Sequence, residues 1–272
     1  RIGDLARLNI IGSISGTIVT VALYSWLGAR GIIPSLLLLA LIQLIVTFYF
    51  FRRALVLKVQ MSWKLSFDAA IGMVRLGLVF MWGGILVSIV AYLTRAWISQ
   101  EISLAAVGIF TAAFALSGMF INFVLSAMGS DYYPRLTAIA NDHTAMSKLV
   151  NEQTEIGLLL AGPGLLATLG FAPWIIQGFY TAEFLPAVNL LQWLILGCLG
   201  QVIAFPLGFI MLAQAKANWF FFIETTSNLI HVVLIWMALA RYGLEGVAIS
   251  YFVLYFLYTA AVYLLARHLI GF

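Results

Sequence analysis

The chain has 272 residues, of which 64% are hydrophobic and only 9% are charged, whereas about 25% of residues are charged in a typical soluble domain. This composition excludes an ordinary soluble domain and predicts an all-α, polytopic membrane protein. The net charge of +4 comes mainly from Lys and Arg at the ends of the apolar segments. Such charges orient a membrane protein and give no reason to expect a nucleic-acid partner.

Cysteine and histidine usage indicates neither a disulfide framework nor a metal site. Cys198 is the single cysteine, so no intramolecular disulfide can form. The three histidines, His143, His231 and His268, are far apart in the sequence, and their spacing is not that of metal ligands. We expect no cofactor and no catalytic metal.

Eight apolar segments are long enough to cross a hydrocarbon core of about 30 Å, which requires about 20 helical residues. We predict transmembrane helices at residues 8–27, 32–51, 76–94, 104–128, 156–179, 188–213, 219–240 and 244–266. The division that follows is two helices in residues 1–51, a basic linker at residues 52–75, and six helices in residues 76–272.

Lys and Arg residues fall unevenly on the two sides of this topology. Arg30, Arg95 and Arg241 lie on one side, and the other Lys and Arg residues lie on the opposite side. By the positive-inside rule, the basic side and both termini of this piece are cytoplasmic. The chain begins at Arg1 without a signal peptide pattern, and we expect it to be part of a longer protein.

The basic linker at residues 52–75 contains Trp63 and Phe67 between its positive charges. That composition suits an interfacial helix on anionic lipid. A basic loop whose charges only fix the topology is the alternative.

Polar residues form a stripe on one face of the predicted helix at residues 219–240. Glu224, Ser227, Asn228 and His231 follow the i, i+3, i+4, i+7 spacing of one helix face. A carboxylate near the centre of a membrane helix costs about 2.5 kcal/mol or more, so such groups usually face a bundle interior or a water-filled cavity. We expect Glu224 with Asn228 to hold a proton or Na⁺, and His231 to titrate near neutral pH. The alternative is structural: Asn228 and His231 bond to neighbouring helices, and Glu224 stays wet near the cytoplasmic interface.

Three further residues are candidates for the same cavity. Arg95 ends a polar face of the predicted helix at residues 76–94, and its guanidinium could bind a diphosphate or a sugar acid. Arginines near span ends also simply extend to the interface, which is the alternative. Asn122 lies in a stripe of small residues, and Gln201 is a polar residue in an apolar segment.

Proline and glycine mark the predicted ends and kinks. Pro134, close to Asp131 and Arg135, predicts that its helix ends sharply at the cytoplasmic surface, because proline lacks a backbone donor and disfavours helix before it. Pro163, Pro173 and Pro206 fall inside predicted spans and predict kinks there. Aligning Gly31 with Gly243 suggests that the first and last helical hairpins are parallel repeats of a two-lobed transporter.

Several of these segments together resemble a known family. They are Tyr133-Pro134-Arg135-Leu136, Asn141-Asp142, Gly162-Pro163, Phe171-Ala172-Pro173 and Phe184-Leu185-Pro186-Ala187. The chain is similar to the polysaccharide transporter branch of the MOP superfamily, the O-antigen flippases, and would cover spans five to twelve of that two-lobed, MATE-like bundle. Residues 1–51 would then be the last two helices of the N-terminal lobe, and residues 76–272 the six helices of the C-terminal lobe. The resemblance marks Asp131, Tyr133, Pro134 and Arg135 as a cytoplasmic motif.

The resemblance implies a non-enzymatic transporter in the bacterial inner membrane. Its substrate would be a polyprenyl-diphosphate-linked oligosaccharide, such as an O-antigen unit, moved by alternating access. Implied partners are this glycolipid, membrane lipids, H⁺ or Na⁺, and glycan assembly proteins.

Two alternatives keep the membrane location. A multidrug or amphipath exporter would use the same fold for a different cargo. A glycan polymerase or ligase would need charged catalytic residues on an outer loop. The longest predicted outer loop, residues 177–187, has Glu183 as its one charged residue, which argues against the enzyme.

Overall fold

A computed structural model describes residues 2–53 and 62–272. The helices are α1 (Ile2–Leu27), α2 (Ile32–Arg53), α3 (Trp63–Glu101), α4 (Leu104–Ala138), α5 (His143–Gly170), α6 (Ala172–Phe179), α7 (Ala187–Ala213) and α8 (Ala217–Ile270), with short 3₁₀ turns at Gly28–Gly31 and Ala182–Phe184. No strand occurs in the described ranges, and the predicted all-α membrane fold is confirmed. Lys58 of the predicted linker lies outside the described residues.

The apolar helices account for the eight predicted spans. Within the described residues, six helices are long and apolar enough to cross a membrane, and the pair α5 and α6 could form a seventh span. α8 is interrupted at Gly243, where the backbone leaves the helical region. Its two arms, residues 217–242 and 244–270, correspond to the last two predicted spans.

The chain divides into two compact units, Arg1–Ser66 and Phe67–Phe272. In the first unit, α1 and α2 pack against each other as a hairpin. In the second unit, α7 packs against α4, α5 and both arms of α8. The assignment of residues 1–51 and 76–272 to two lobes stays a prediction.

The hairpins at the two ends of the chain use the same glycine turn. Gly28 and Gly243 both have positive φ, 55° and 59°, a conformation that glycine adopts without strain. A Cβ on Gly31 would collide with the backbone oxygen of Leu23, and a Cβ on Gly246 would collide with the backbone oxygen eight residues earlier. The equivalent pairs are therefore Gly28 with Gly243 and Gly31 with Gly246, and the alignment of Gly31 with Gly243 is wrong.

Two buried clusters hold the second unit together around α7. The first joins the middle of α4 and the end of α5 to α6 and the first half of α7, with Leu191 and Leu194 fully buried. The second joins the end of α4 and the start of α5 to the second half of α7 and both arms of α8, with Tyr132 and Leu136 fully buried. α7 is thus the helix around which the unit is built.

One prediction from proline is wrong and one is confirmed. α4 continues through Pro134 to Ala138, because Leu136 beyond the proline is fully buried and packing outweighs one lost backbone hydrogen bond. Pro173 lies in the first turn of α6, a position where proline suits a helix start. The predicted span at residues 156–179 is two helices with an 81° bend between them, so the kink predicted at Pro173 is confirmed. Pro163 and Pro206 do lie inside helices.

Candidate functional site

A cavity of about 550 Å³ lies within the second unit, between α3, α4, α7 and the two arms of α8. Ligand sites typically have volumes of about 300–1,000 Å³. All seven residues predicted for a cavity line it: Arg95, Asn122, Gln201, Glu224, Ser227, Asn228 and His231. The structure thus brings together side chains from four helices, while their roles in substrate binding and ion coupling stay predictions.

Glu224 lies on the first arm of α8 and is held by a residue of the second arm. The Tyr258 hydroxyl donates a hydrogen bond of 2.8 Å to Oε1 of Glu224. The Asn228 side-chain amide instead donates to the backbone oxygen of Glu224, at 2.9 Å. The side chain that contacts the carboxylate is therefore that of Tyr258, which is not among the residues predicted from the sequence.

A row of tyrosines on the second arm of α8 forms one wall of the cavity. Tyr251, Tyr255 and Tyr258 follow the i, i+4, i+7 spacing of one helix face, and this spacing was the available signal in the sequence. Neighbouring rings are 4.8 and 6.1 Å apart between centroids. The Tyr251 hydroxyl donates to Oε1 of Gln201 on α7, at 3.3 Å. This hydrogen bond joins the second arm of α8 to α7.

The tyrosine row approaches α7 closely because glycine faces it. A Cβ on Gly200 would lie 3.2 Å from the Cβ of Tyr255, and one on Gly197 would lie 2.8 Å from Cε1 of Tyr251. The Thr259 hydroxyl donates to the backbone oxygen of Gly200, at 3.1 Å. Small residues at such helix contacts are typical of membrane bundles.

The rest of the cavity lining is mostly aromatic and carries little charge. Nδ2 of Asn122 would be 3.0 Å from a Cβ on Gly118, one turn earlier on α4. Arg95 directs one guanidinium N–H to the backbone oxygen of Ala91 on its own helix, at 3.0 Å. Among the described residues that line the cavity, Arg95 is the one Lys or Arg, and Glu224 is the one Asp or Glu. Six phenylalanines also line it: Phe80, Phe110, Phe114, Phe205, Phe209 and Phe220.

The motif residues on α4 lie at the end of that helix and are not among the cavity-lining residues. Arg135 forms an exposed ion pair with Asp131, with 3.1 Å between Nη1 and Oδ2, one helical turn away. The Tyr133 ring packs 5.5 Å from the ring of Phe209. The neighbouring Tyr132 is fully buried. Its hydroxyl donates to the backbone oxygen of Pro206 on α7, at 2.9 Å, so this segment anchors α4 to α7.

Among the described residues, no group of three or more His, Cys, Asp and Glu side chains is close enough to hold a metal ion. Cys198 is free and buried, and its thiol donates weakly to the backbone oxygen of Ser117, at 3.7 Å.

Comparison with known proteins assigns the chain to a family and relates its fold to that of two solved structures. Residues 2–189 match a family model described as polysaccharide biosynthesis protein. A multidrug resistance MATE family transporter of the MOP superfamily, in an outward-facing conformation, is similar with a TM-score of 0.61 and 18% identity over 70% of this chain and 43% of that one.

A second solved structure extends the similarity along the chain. The lipid II flippase MurJ, in an inward closed conformation, is similar with a TM-score of 0.57 and 17% identity over 94% of this chain and 54% of that one. The chain thus spans about half the length of these two proteins. No curated protein matches it. The fold is of the MOP type, as the sequence motifs predicted.

Proposed function

Because the chain belongs to the polysaccharide biosynthesis protein family and has a MOP-type fold, we propose that it is part of a flippase for a lipid-linked oligosaccharide. The flippase moves a polyprenyl-diphosphate-linked glycan, such as an O-antigen unit, across the bacterial inner membrane by alternating access. Both termini of this piece are cytoplasmic in this proposal. The chain itself performs no covalent chemistry, and it works beside the proteins that assemble the glycan.

The observation that carries this proposal is the composition of the cavity in the second unit. Its amides from Asn122, Gln201 and Asn228 can exchange hydrogen bonds with sugar hydroxyls. Its tyrosine and phenylalanine rings offer flat apolar faces to the C–H faces of sugar rings. A diphosphate would call for several cations, but Arg95 is the one Lys or Arg among the described lining residues. We therefore assign the cavity to the glycan and not to the diphosphate.

Glu224 is the proposed coupling residue of this transporter. It is the one carboxylate among the described lining residues, and charged groups inside membrane proteins commonly mark ion pathways. In this proposal H⁺ or Na⁺ binds at Glu224, and His231 and Ser227 lie one to two turns along the same helix face. Binding of the ion there changes the charge of the cavity during each transport cycle.

The test is glycolipid flipping in proteoliposomes that contain the full-length protein. The probe is a fluorescent polyprenyl-diphosphate-linked oligosaccharide, whose transbilayer movement is measured with and without a proton or sodium gradient. We expect gradient-dependent flipping by the wild type. Glu224→Gln keeps the shape and the acceptor for Tyr258 but removes the charge, and should lower the gradient-dependent rate at least 10-fold. Glu183→Gln, in an exposed loop turn, is the matched control and should behave as the wild type.

Other outcomes point to other functions. Movement of an amphipathic cation such as ethidium without movement of the glycolipid would replace the flippase by an exporter. Release of free polyprenyl diphosphate from the probe would indicate a glycan-transferring enzyme. Full gradient dependence in the Glu224→Gln protein would remove Glu224 from coupling and leave the flippase assignment intact.

A further inference from the structure

α6 changes the direction of the chain inside an apolar region. α5 and α6 are joined at Phe171 and are bent by 81° relative to each other. If α5 crosses the membrane along its normal, α6 then lies nearly parallel to the membrane plane. Two arrangements of α6 are possible: it continues the span across the membrane, or it lies within one leaflet. The direction of α6 relative to the membrane plane distinguishes them.

The length of α5 places this bend at a defined depth. The first half of α5 is polar, with His143, Lys148, Glu152 and Glu155, and the uncharged apolar part runs over residues 156–170. At a rise of about 1.5 Å per residue, this part covers about 22 Å. The hydrocarbon core is about 30 Å thick. With residue 156 at the edge of the core nearer the turn between α4 and α5, the bend lies about 8 Å inside the opposite edge. Interfacial helices typically reach a similar depth, about 5–10 Å.

The two sides of α6 differ in what they contact. Ala172 and Ile176 are fully buried in the first core cluster. On the other side, Phe171 and Trp174 are 58% and 65% exposed, and Phe179 at the end of the helix is 67% exposed. Residues 171–187 contain no Lys or Arg, and their one charged residue is Glu183. An exposed surface of Phe and Trp rings suits the boundary between the headgroups and the acyl chains, where aromatic side chains are enriched. Because these residues include no Lys or Arg, they have no electrostatic attraction to anionic headgroups.

We infer that α6 is an in-plane helix embedded in the leaflet opposite the turn between α4 and α5, with its aromatic face in contact with lipid acyl chains. The neighbouring α5 also carries exposed apolar side chains, Leu159, Leu160 and Leu166. A helix held in the membrane plane resists displacement of α5 along the membrane normal. It thereby fixes the depth of one end of the bundle that encloses the cavity.

Depth measurement with site-directed fluorophores tests this inference directly. Cys198 is the single cysteine of this chain, so Cys198→Ala removes the labelling site within it and provides a background for new ones. Phe171→Cys and Gly178→Cys place probes on one helix face, seven residues apart, and Glu183→Cys places one on the following turn. Each protein is labelled with a nitrobenzoxadiazole fluorophore and reconstituted in phosphatidylcholine vesicles. These vesicles contain lipids with a nitroxide on the headgroup, on acyl carbon 5 or on acyl carbon 12.

The arrangement of the two probes on α6 decides between the alternatives. Seven residues separate them by about 10.5 Å along the helix axis. At an 81° bend, this separation becomes a depth difference of about 2 Å for an in-plane helix, against about 10 Å for a continuing span. We expect both probes to be quenched most by the carbon-5 nitroxide, and the Glu183→Cys probe to be quenched most by the headgroup nitroxide.

Two results would overturn the inference. Strong quenching of both α6 probes by aqueous iodide would place the helix in water. Quenching of one probe mainly from the headgroup and of the other mainly from carbon 12 would show a continuing span. Trp174→Cys, a third site on the exposed side, gives the same readout if either substitution prevents folding.

Discussion

The contact between α7 and the second arm of α8 can be tested by adding one methyl group at Gly197. This glycine is buried in α7, and a Cβ there would lie 2.8 Å from Cε1 of Tyr251 and 3.4 Å from the backbone of Phe252. The Tyr251 ring cannot simply swing away, because its hydroxyl bonds to Gln201 and its ring meets that of Phe114. We expect Gly197→Ala to push the two helices apart.

A second glycine in the same helix provides the control. Gly208 is also buried in α7, but a Cβ there would meet only the Tyr258 hydroxyl, at an ordinary distance of 3.7 Å. Alanine is more favourable than glycine in a helix by about 1 kcal/mol. Overpacking costs about 1–3 kcal/mol. Gly208→Ala should therefore gain up to about 1 kcal/mol, whereas Gly197→Ala should lose up to about 2 kcal/mol.

Thermal unfolding of the two proteins in the same detergent measures this difference. A gap of about 2 kcal/mol corresponds to a difference of roughly 4–8 °C in midpoint for a unit of about 200 residues. Tryptophan fluorescence follows the transition. An unfolding midpoint for Gly197→Ala equal to or above that of Gly208→Ala would refute the close packing of Tyr251 on α7.

Three further substitutions use the same unfolding measurement. Ser103 accepts a hydrogen bond from the first turn of α4, at 3.1 Å, so Ser103→Ala should cost about 1 kcal/mol, and no change would mean that water caps α4 equally well. Tyr132→Phe removes only the bond to Pro206 and should cost about 0.6 kcal/mol, the average for such bonds between membrane helices, whereas a loss above about 3 kcal/mol would show that the hydroxyl does more. Arg135→Ala should cost less than about 0.5 kcal/mol, because the pair with Asp131 is exposed on both sides and such pairs are weak; a larger loss would mean that Arg135 has another contact.

Several residues that line the cavity could be predicted from the sequence, because polar side chains in an apolar helix usually face the bundle interior or a cavity. Glu224, Ser227, Asn228 and His231 share one face, and burying that face against lipid would be costly. The prediction missed Tyr258 as the partner of Glu224, because tyrosine is common in membrane helices as a packing residue. The contact joins residues 34 positions apart. The turn at Gly243 determines which positions of the two arms meet, and a hydropathy pattern carries no information on the geometry of that turn.

The sequence predicted the fold less well at positions where a helix bends or ends, because hydropathy depends on composition and not on the direction of the chain. Residues 156–179 form one apolar segment whether the helix is straight or bent, so Pro173 indicated a kink there but hydropathy could not reveal its size of 81°. The end predicted at Pro134 failed for a different reason. The turn beyond it is retained by the burial of Leu136, a tertiary contact that outweighs the local preference of proline.

The hairpin of α8 has a consequence for the order in which the second unit assembles. The hydrogen bond between Glu224 and Tyr258 closes a loop of 34 residues, whereas that between Trp82 and Thr225 closes one of 143 residues. Loop closure entropy grows with the logarithm of loop length, so the longer closure costs about 1.3 kcal/mol more. The two arms of α8 should therefore pair early, as a local unit made of the last two spans. α3 docks on that hairpin afterwards, and the cavity wall between them closes late in assembly.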